Sequence, residues 1–114
     1  MRGDAEPASI LRAMSGIASA VYRRKLSRED ADTGTVLIAK GRWRMFPPAM
    51  AEFAVRVGRQ RFQTRIVAED CACVPPAHQH LHLEAGHLRG RLDFRPGAVI
   101  EIAREGAEYV VRNG

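Results

Sequence analysis

The sequence predicts a mainly β protein: a small antiparallel barrel or sandwich of about seven strands in a hairpin meander, with one N-terminal amphipathic α-helix. Three observations predict this fold. Apolar and polar residues alternate at period two from about residue 35 to the last residues. Turn signals interrupt that alternation at short intervals, and helical spacing is confined to the first 28 residues. So many short strands must close or curl to bury one face and protect their edges.

A single domain is expected from the 114 residues, which suffice for a small core. Residues 1–34 would form the helix and a linker, packed on or extending from a β domain of residues 35–114. Apolar content of 46% and charged content of 27% exclude wholesale disorder. No apolar run approaches the roughly 18 residues of a membrane span. Charges at Asp4, Glu6 and Arg12 argue against a signal peptide.

The N-terminal helix is predicted over Glu6–Arg28. Apolar residues recur there at steps of four, three and four, at Ile10, Met14, Ile17 and Val21. Asp4 can cap the first turn, and basic residues gather near the last one. The apolar face would pack against the barrel or pair with another copy of the chain.

The first strand is predicted over Thr35–Phe46 and ends at two prolines, which cannot donate to a β ladder. A hairpin follows, in which Glu52–Val57 pairs with Gln60–Val67 around Gly58-Arg59. Each cross-strand pair in this register joins residues of the same face.

Arg56 lies directly opposite Arg61 in that register, while Val55 and Val57 point to the other face of the sheet. Like charges in this position destabilise a sheet unless an anion, or an acid of a partner, lies between them. The pair is therefore a candidate anion-binding feature.

Two further hairpins complete the predicted meander. In the first, His78–Glu84 pairs with Arg89–Arg95, which sets His80 opposite Asp93. In the second, Ala98–Arg104 pairs with Ala107–Arg112 around Glu105-Gly106, which sets Ile102 opposite Tyr109 and Ile100 opposite Val111.

The phrase Leu92-Asp-Phe-Arg-Pro-Gly97, which leads into the last hairpin, is similar to a strand-turn-strand phrase of several small β-barrel DNA-binding families. These families include AbrB-like and B3-like domains. The resemblance implies a small β-barrel that binds DNA.

Basic residues are concentrated between Lys40 and Arg65, where seven of them face a single acid, Glu52. This window nets +6, more than the +5 of the whole chain, and the pI is near 10.0. Guanidinium groups bind phosphate through paired hydrogen bonds, so we predict a partner that is nucleic acid or an acidic protein surface. The candidate anion-binding residues are Arg42, Arg44, Arg56, Arg59, Arg61 and Arg65. The alternative is that the guanidinium groups are only solvated, while the aliphatic parts of the arginine side chains cover apolar surface.

A Cys/His cluster offers ligands that zinc prefers: Cys71, Cys73, His78, His80 and His82. Neither the C-x-C nor the H-x-H-x-H spacing matches a zinc finger or ribbon, so no cofactor is the first expectation and zinc the alternative. Cys71 and Cys73 are separated by one residue, which is too close to assume a structural disulfide. They therefore indicate reduced thiols and a cytoplasmic protein.

No catalytic fingerprint or phosphate loop is present, so we predict that the protein is not an enzyme. The leading hypothesis is a binding module for nucleic acid or another polyanion. A structural or adaptor subunit that forms homo-oligomers or joins a larger assembly is the alternative. A metal-binding β-barrel is the third hypothesis.

Overall fold

The computed structural model describes residues 20–71 and 78–114. Within these ranges, seven strands form one curled sheet, a half-barrel, with a few short helices. In chain order the elements are β1 (Val21–Lys25), α1 (Arg28–Thr33), β2 (Thr35–Ile38), a first 3-10 helix (Lys40–Met45), β3 (Glu52–Val57), β4 (Gln60–Cys71), β5 (His78–Glu84), a second 3-10 helix (Gly86–Arg91), β6 (Val99–Glu105) and β7 (Glu108–Asn113). The predicted mainly β class is confirmed. No helix in this part of the chain is long and apolar enough to cross a membrane.

The strand order is β1-β6-β7-β3-β4-β5-β2, and neighbours are antiparallel except β3 and β7, which run parallel. The curl brings the two edge strands together through one side chain. The Tyr22 hydroxyl donates to the Leu37 carbonyl at 2.6 Å and accepts from the Ala39 amide at 3.1 Å. The Tyr22 side chain of β1 thus supplies hydrogen-bond partners to backbone groups at the end of β2, which partly protects that edge strand.

One face of the sheet forms the core, and we call the opposite face the outer face. The buried hydrophobic strand residues of the core face are Tyr22, Val36, Ile38, Val55, Val57, Ile66, Leu83, Ile100, Ile102, Tyr109 and Val111. Phe46 closes this core, since its ring stacks on Tyr109 at 5.6 Å and meets the edge of Tyr22 at 6.3 Å. Period-two alternation then places most charged residues of β3, β4, β6 and β7 on the outer face, namely Glu52, Arg56, Arg61, Arg65, Glu69, Glu101, Glu105, Glu108 and Arg112.

The hairpin of β3 and β4 has the predicted register in all six pairs. The hairpin of β6 and β7 is also present, but its predicted register is wrong by two residues. Ile102 lies opposite Val111, because the turn is made by Gly106-Ala107 with Gly106 at a φ of 64°. A shift of two residues preserves the faces, so Tyr109 and Val111 still point into the core.

The helix predicted over Glu6–Arg28 is wrong where the structure describes it. Val21–Lys25 is a strand, because its backbone groups pair with β6 from Val99 to Ala103. The rest of that prediction, residues 6–19, lies outside the described residues, and helix-mediated assembly stays a prediction. A short helix, α1, forms where the end of the predicted helix and the linker were expected, and it begins after Ser27 with a capping box that Asp30 closes.

The strand predicted over Thr35–Phe46 is wrong beyond Ile38, where the first 3-10 helix begins. Trp43 packs partly buried against the core, and its Nε1 donates to the Ile38 carbonyl at 3.1 Å. The indole thus folds back onto the end of β2, and the chain turns to bury Phe46.

The hairpin predicted between His78–Glu84 and Arg89–Arg95 is also wrong. The first segment is β5, which lies between β4 and β2. The chain after it forms the second 3-10 helix, because Leu88 is fully buried in the core. Arg89 then donates to the carbonyl oxygens of Ala31 and Asp32 at the end of α1.

Candidate nucleic-acid interface

Arg56 and Arg61 lie directly opposite each other on the outer face, as the hairpin register predicts, and an acid of the same chain lies between them. Glu108 accepts from Arg56 Nη1 at 3.0 Å through one carboxylate oxygen and from Arg61 Nε at 2.6 Å through the other. Glu105 accepts from Arg56 Nη2 at 3.4 Å. We call Arg56, Glu108 and Arg61 the Glu108 triad. The repulsion between its two guanidinium groups is compensated, because one carboxylate bridges them.

A second arrangement of the same kind lies on β1, β6 and β7, and we call it the Glu101 triad. Arg23 and Arg112 are both opposite Glu101 in register, and they donate to it at 2.7 and 2.6 Å. The two guanidinium groups cover Glu101, whose side chain is only 4% exposed. Hydrogen bonds from Arg112 and then Arg23 lower the pKa of Glu101 below its usual value.

Arg65 belongs to the outer face as well, four residues beyond Arg61 along β4. It donates to Glu84 on β5 at 3.1 and 3.4 Å. Glu52 lies opposite Arg65 in register, but the ion pair forms with Glu84. Arg65 therefore stands in a separate pair from the Glu108 triad.

The remaining candidate arginines do not lie on the strands. Arg59 is exposed in the two-residue turn between β3 and β4. Arg42 and Arg44 are exposed on the first 3-10 helix, whose last residue accepts from the Tyr109 hydroxyl at 2.6 Å. The structure thus brings together Arg56 and Arg61 on adjacent strands, whereas Arg42 and Arg44 lie on a different element, the first 3-10 helix.

The outer face is not uniformly basic. A cavity of about 280 Å³ lies beside α1, and acids from three elements line it: Glu29, Glu69 and Glu84. His82 lines the same cavity, with its Nε2 3.4 Å from Glu69 Oε1 and a buried Nδ1 that has no hydrogen-bond partner. Because an anion would meet carboxylates there, the β3, β4 and β7 part of the face is the better place for a phosphate.

The candidate metal ligands are partly aligned by the register of β4 and β5. Cys71 is opposite His78, and the rings of His80 and His82 are 6.4 Å apart between centroids. Cys73 lies outside the described residues. Among the residues that the structure does describe, no three His, Cys, Asp or Glu residues are grouped to hold a metal ion.

The predicted contact of His80 with Asp93 is wrong, because the strand that would have carried Asp93 does not form. His80 lies opposite Glu69 of β4. Asp93 instead accepts from Arg95 at 2.8 and 2.9 Å, and that hydrogen bond lowers the pKa of Asp93.

Sequence reasoning missed the acids that organise these arginines. Glu108 reaches Arg56 and Arg61 because β7 runs parallel to β3, and a parallel pairing between distant segments leaves no turn signal in the sequence. The predicted helix includes Arg23, so the sequence does not reveal that Arg23 lies opposite Glu101. Only the correct pairing of β1 with β6 would have revealed it.

Comparison with known proteins shows a shared fold. No family model and no curated protein matches the chain. Among solved structures, the Arabidopsis FUS3-DNA complex is similar, with a TM-score of 0.64 and 13% sequence identity. The match covers 81% of this chain and 93% of that chain. The described fold is therefore one that a protein in complex with DNA also has.

Proposed function

We propose that this protein is a non-enzymatic DNA-binding module that holds the phosphate backbone through arginines of its outer face. The observation that carries the proposal is the half-barrel shared with FUS3, whose structure is that of a complex with DNA. A net charge of +5 supports it, because a basic protein attracts a polyanion from a distance.

The hairpin of β3 and β4 is the proposed contact element. It presents Arg56, Arg61 and Arg65 on one face and Arg59 at its tip. The side chains of the three strand arginines are between 38% and 67% exposed. Guanidinium groups on a rigid sheet are positioned before the DNA arrives, so little side-chain order is lost on binding.

Such binding would be governed by phosphate contacts and would depend on salt. Each phosphate neutralised by an arginine releases condensed counterions, which makes the logarithm of affinity fall with the logarithm of salt concentration by about 0.9 per contact. The contacts position the protein on the duplex and carry no direct sequence information.

The test is fluorescence anisotropy of a labelled DNA duplex with the wild type and with Arg61→Gln/Arg65→Gln. We expect about tenfold weaker binding or more, and a salt slope shallower by about 2, because two phosphate contacts are removed. Arg28→Gln/Arg91→Gln is the matched control, since it removes two exposed arginines from α1 and the second 3-10 helix.

Equal losses in the two double variants would contradict the proposal, because binding would then follow net charge and not the outer face. No binding of the wild type even at low salt would contradict DNA binding itself.

A further inference from the structure

The Glu108 triad has the geometry of an anion site that is already filled. Two guanidinium groups converge on one carboxylate, and each binds a different oxygen of it, at 3.0 and 2.6 Å. A phosphodiester group also offers two non-bridging oxygens with negative charge, and arginine forks bind both groups in the same way.

We propose that Arg56 and Arg61 form a phosphate-binding site that the Glu108 carboxylate occupies in the free protein. A phosphate of the DNA backbone displaces Glu108 and takes its place between the two guanidinium groups. This inference rests on the proposed function, and it names both the residues of one contact and the internal competitor for it.

The backbone keeps the two arginines together whatever lies between them. Arg56 and Arg61 are direct partners in a tight hairpin whose register is fixed by buried residues on the other face, Val55 and Val57. When Glu108 leaves, Arg56 and Arg61 remain cross-strand neighbours with like charges, which favours an anion between them.

Exposure distinguishes this triad from the Glu101 triad. Glu101 is 4% exposed and holds three strands together, so it is a structural residue. Glu108 is 21% exposed, and Arg61 beside it is 67% exposed. Solvent-exposed ion pairs contribute little net stability, so a polyanion with many phosphates can displace the Glu108 carboxylate.

The test compares two substitutions that change net charge equally, Glu108→Gln and Glu52→Gln, in anisotropy titrations of a labelled DNA duplex. Glu52 is exposed in the same hairpin, at the start of β3. We expect Glu108→Gln to tighten DNA binding by about tenfold at low salt, because the phosphate no longer competes with a carboxylate for the two guanidinium groups. Glu52→Gln is expected to tighten it by about twofold, through general attraction.

Equal effects of Glu108→Gln and Glu52→Gln would overturn the inference while leaving the proposed function intact. Failure of the wild type and of both variants to bind DNA would instead reject the proposed function. In Arg56→Gln/Arg61→Gln/Glu108→Gln the gain is expected to disappear. A gain that persists in that triple variant would also overturn the inference, because it would come from elsewhere.

Circular dichroism and thermal unfolding check that Glu108→Gln folds. If it does not, Glu105→Gln tests the same site, since it removes only the exposed acid that lies 3.4 Å from Arg56 Nη2. Its expected gain in affinity lies between those of Glu108→Gln and Glu52→Gln, and a gain no larger than that of Glu52→Gln would count against the site.

Discussion

At the scale of single residues, two glutamates form the ion pairs of four outer-face arginines and so determine which of these arginines could bind another anion. Glu101 is covered by Arg23 and Arg112, and the three side chains lie in one row across β1, β6 and β7. Glu108 bridges Arg56 and Arg61 but remains accessible. The same ion-pair chemistry thus has a structural role in the Glu101 triad, whereas the carboxylate of the Glu108 triad remains accessible to a competing anion.

Glu101 should make stability depend on pH in the acid range. Its pKa is lowered in the folded protein by Arg112 and Arg23, so its contribution is present above the usual value of 4.5 and is lost as the pH falls through the folded value. We expect Glu101→Gln to lower the Tm at neutral pH and to flatten the fall of Tm below 4.5 relative to the wild type. Thermal unfolding followed by circular dichroism over that pH range measures this. Parallel Tm curves for the two proteins would contradict the assignment.

Gly34 should not tolerate a side chain, because it ends α1 at a φ of 74°. A Cβ there would lie 2.7 Å from Arg89 Nη2 and 3.0 Å from Gly86 Cα. We expect Gly34→Ala to lower the free energy of unfolding by about 1–2 kcal/mol or more, measured by urea denaturation. Gly41→Ala is the control, since nothing lies within 4 Å of its Cβ position. A loss of similar size in both variants would show that the left-handed conformation is not the cause.

At the scale of elements, predictability followed the distance along the chain between paired residues. The β3–β4 hairpin has a two-residue turn and strict alternation, so local sequence determined its register. Val21–Lys25 has helical spacing but pairs with residues 99–103, and that distant pairing overrode the local pattern. Lys40–Met45 also alternates and therefore predicts a strand, whereas the structure has a 3-10 helix there and Trp43 Nε1 donates back to the Ile38 carbonyl.

Phe46 should be a main determinant of how the first 3-10 helix is held. It is 8% exposed, stacks on Tyr109 and meets the edge of Tyr22. We expect Phe46→Ala to lower the free energy of unfolding by about 3–5 kcal/mol, through lost burial and a cavity. Met50→Ala, at a position that is 54% exposed, should cost far less. Urea denaturation of both variants measures the difference, and equal costs would contradict this packing.

At the scale of the whole molecule, the mainly β class and the shared face of three arginines could be predicted, but the acids that pair with these arginines could not. Composition located the arginines between residues 40 and 65, and alternation placed Arg56, Arg61 and Arg65 on one face. Their acids, Glu108 and Glu84, come from strands brought there by the order of the sheet. No local pattern encodes that order, since β7 joins β3 across about 50 residues of chain.

The central claim is that DNA phosphates are bound by the outer face at Arg56 and Arg61. Nuclear magnetic resonance of isotope-labelled protein, titrated with a DNA duplex, tests this most directly through the arginine Nε–H signals. We predict that the signals of Arg56 and Arg61 shift early in the titration, while that of Arg24, which donates to the buried Asp30 at 2.9 Å, stays unchanged. Shifts confined to residues away from the outer face, with Arg56 and Arg61 unchanged at saturation, would contradict the claim.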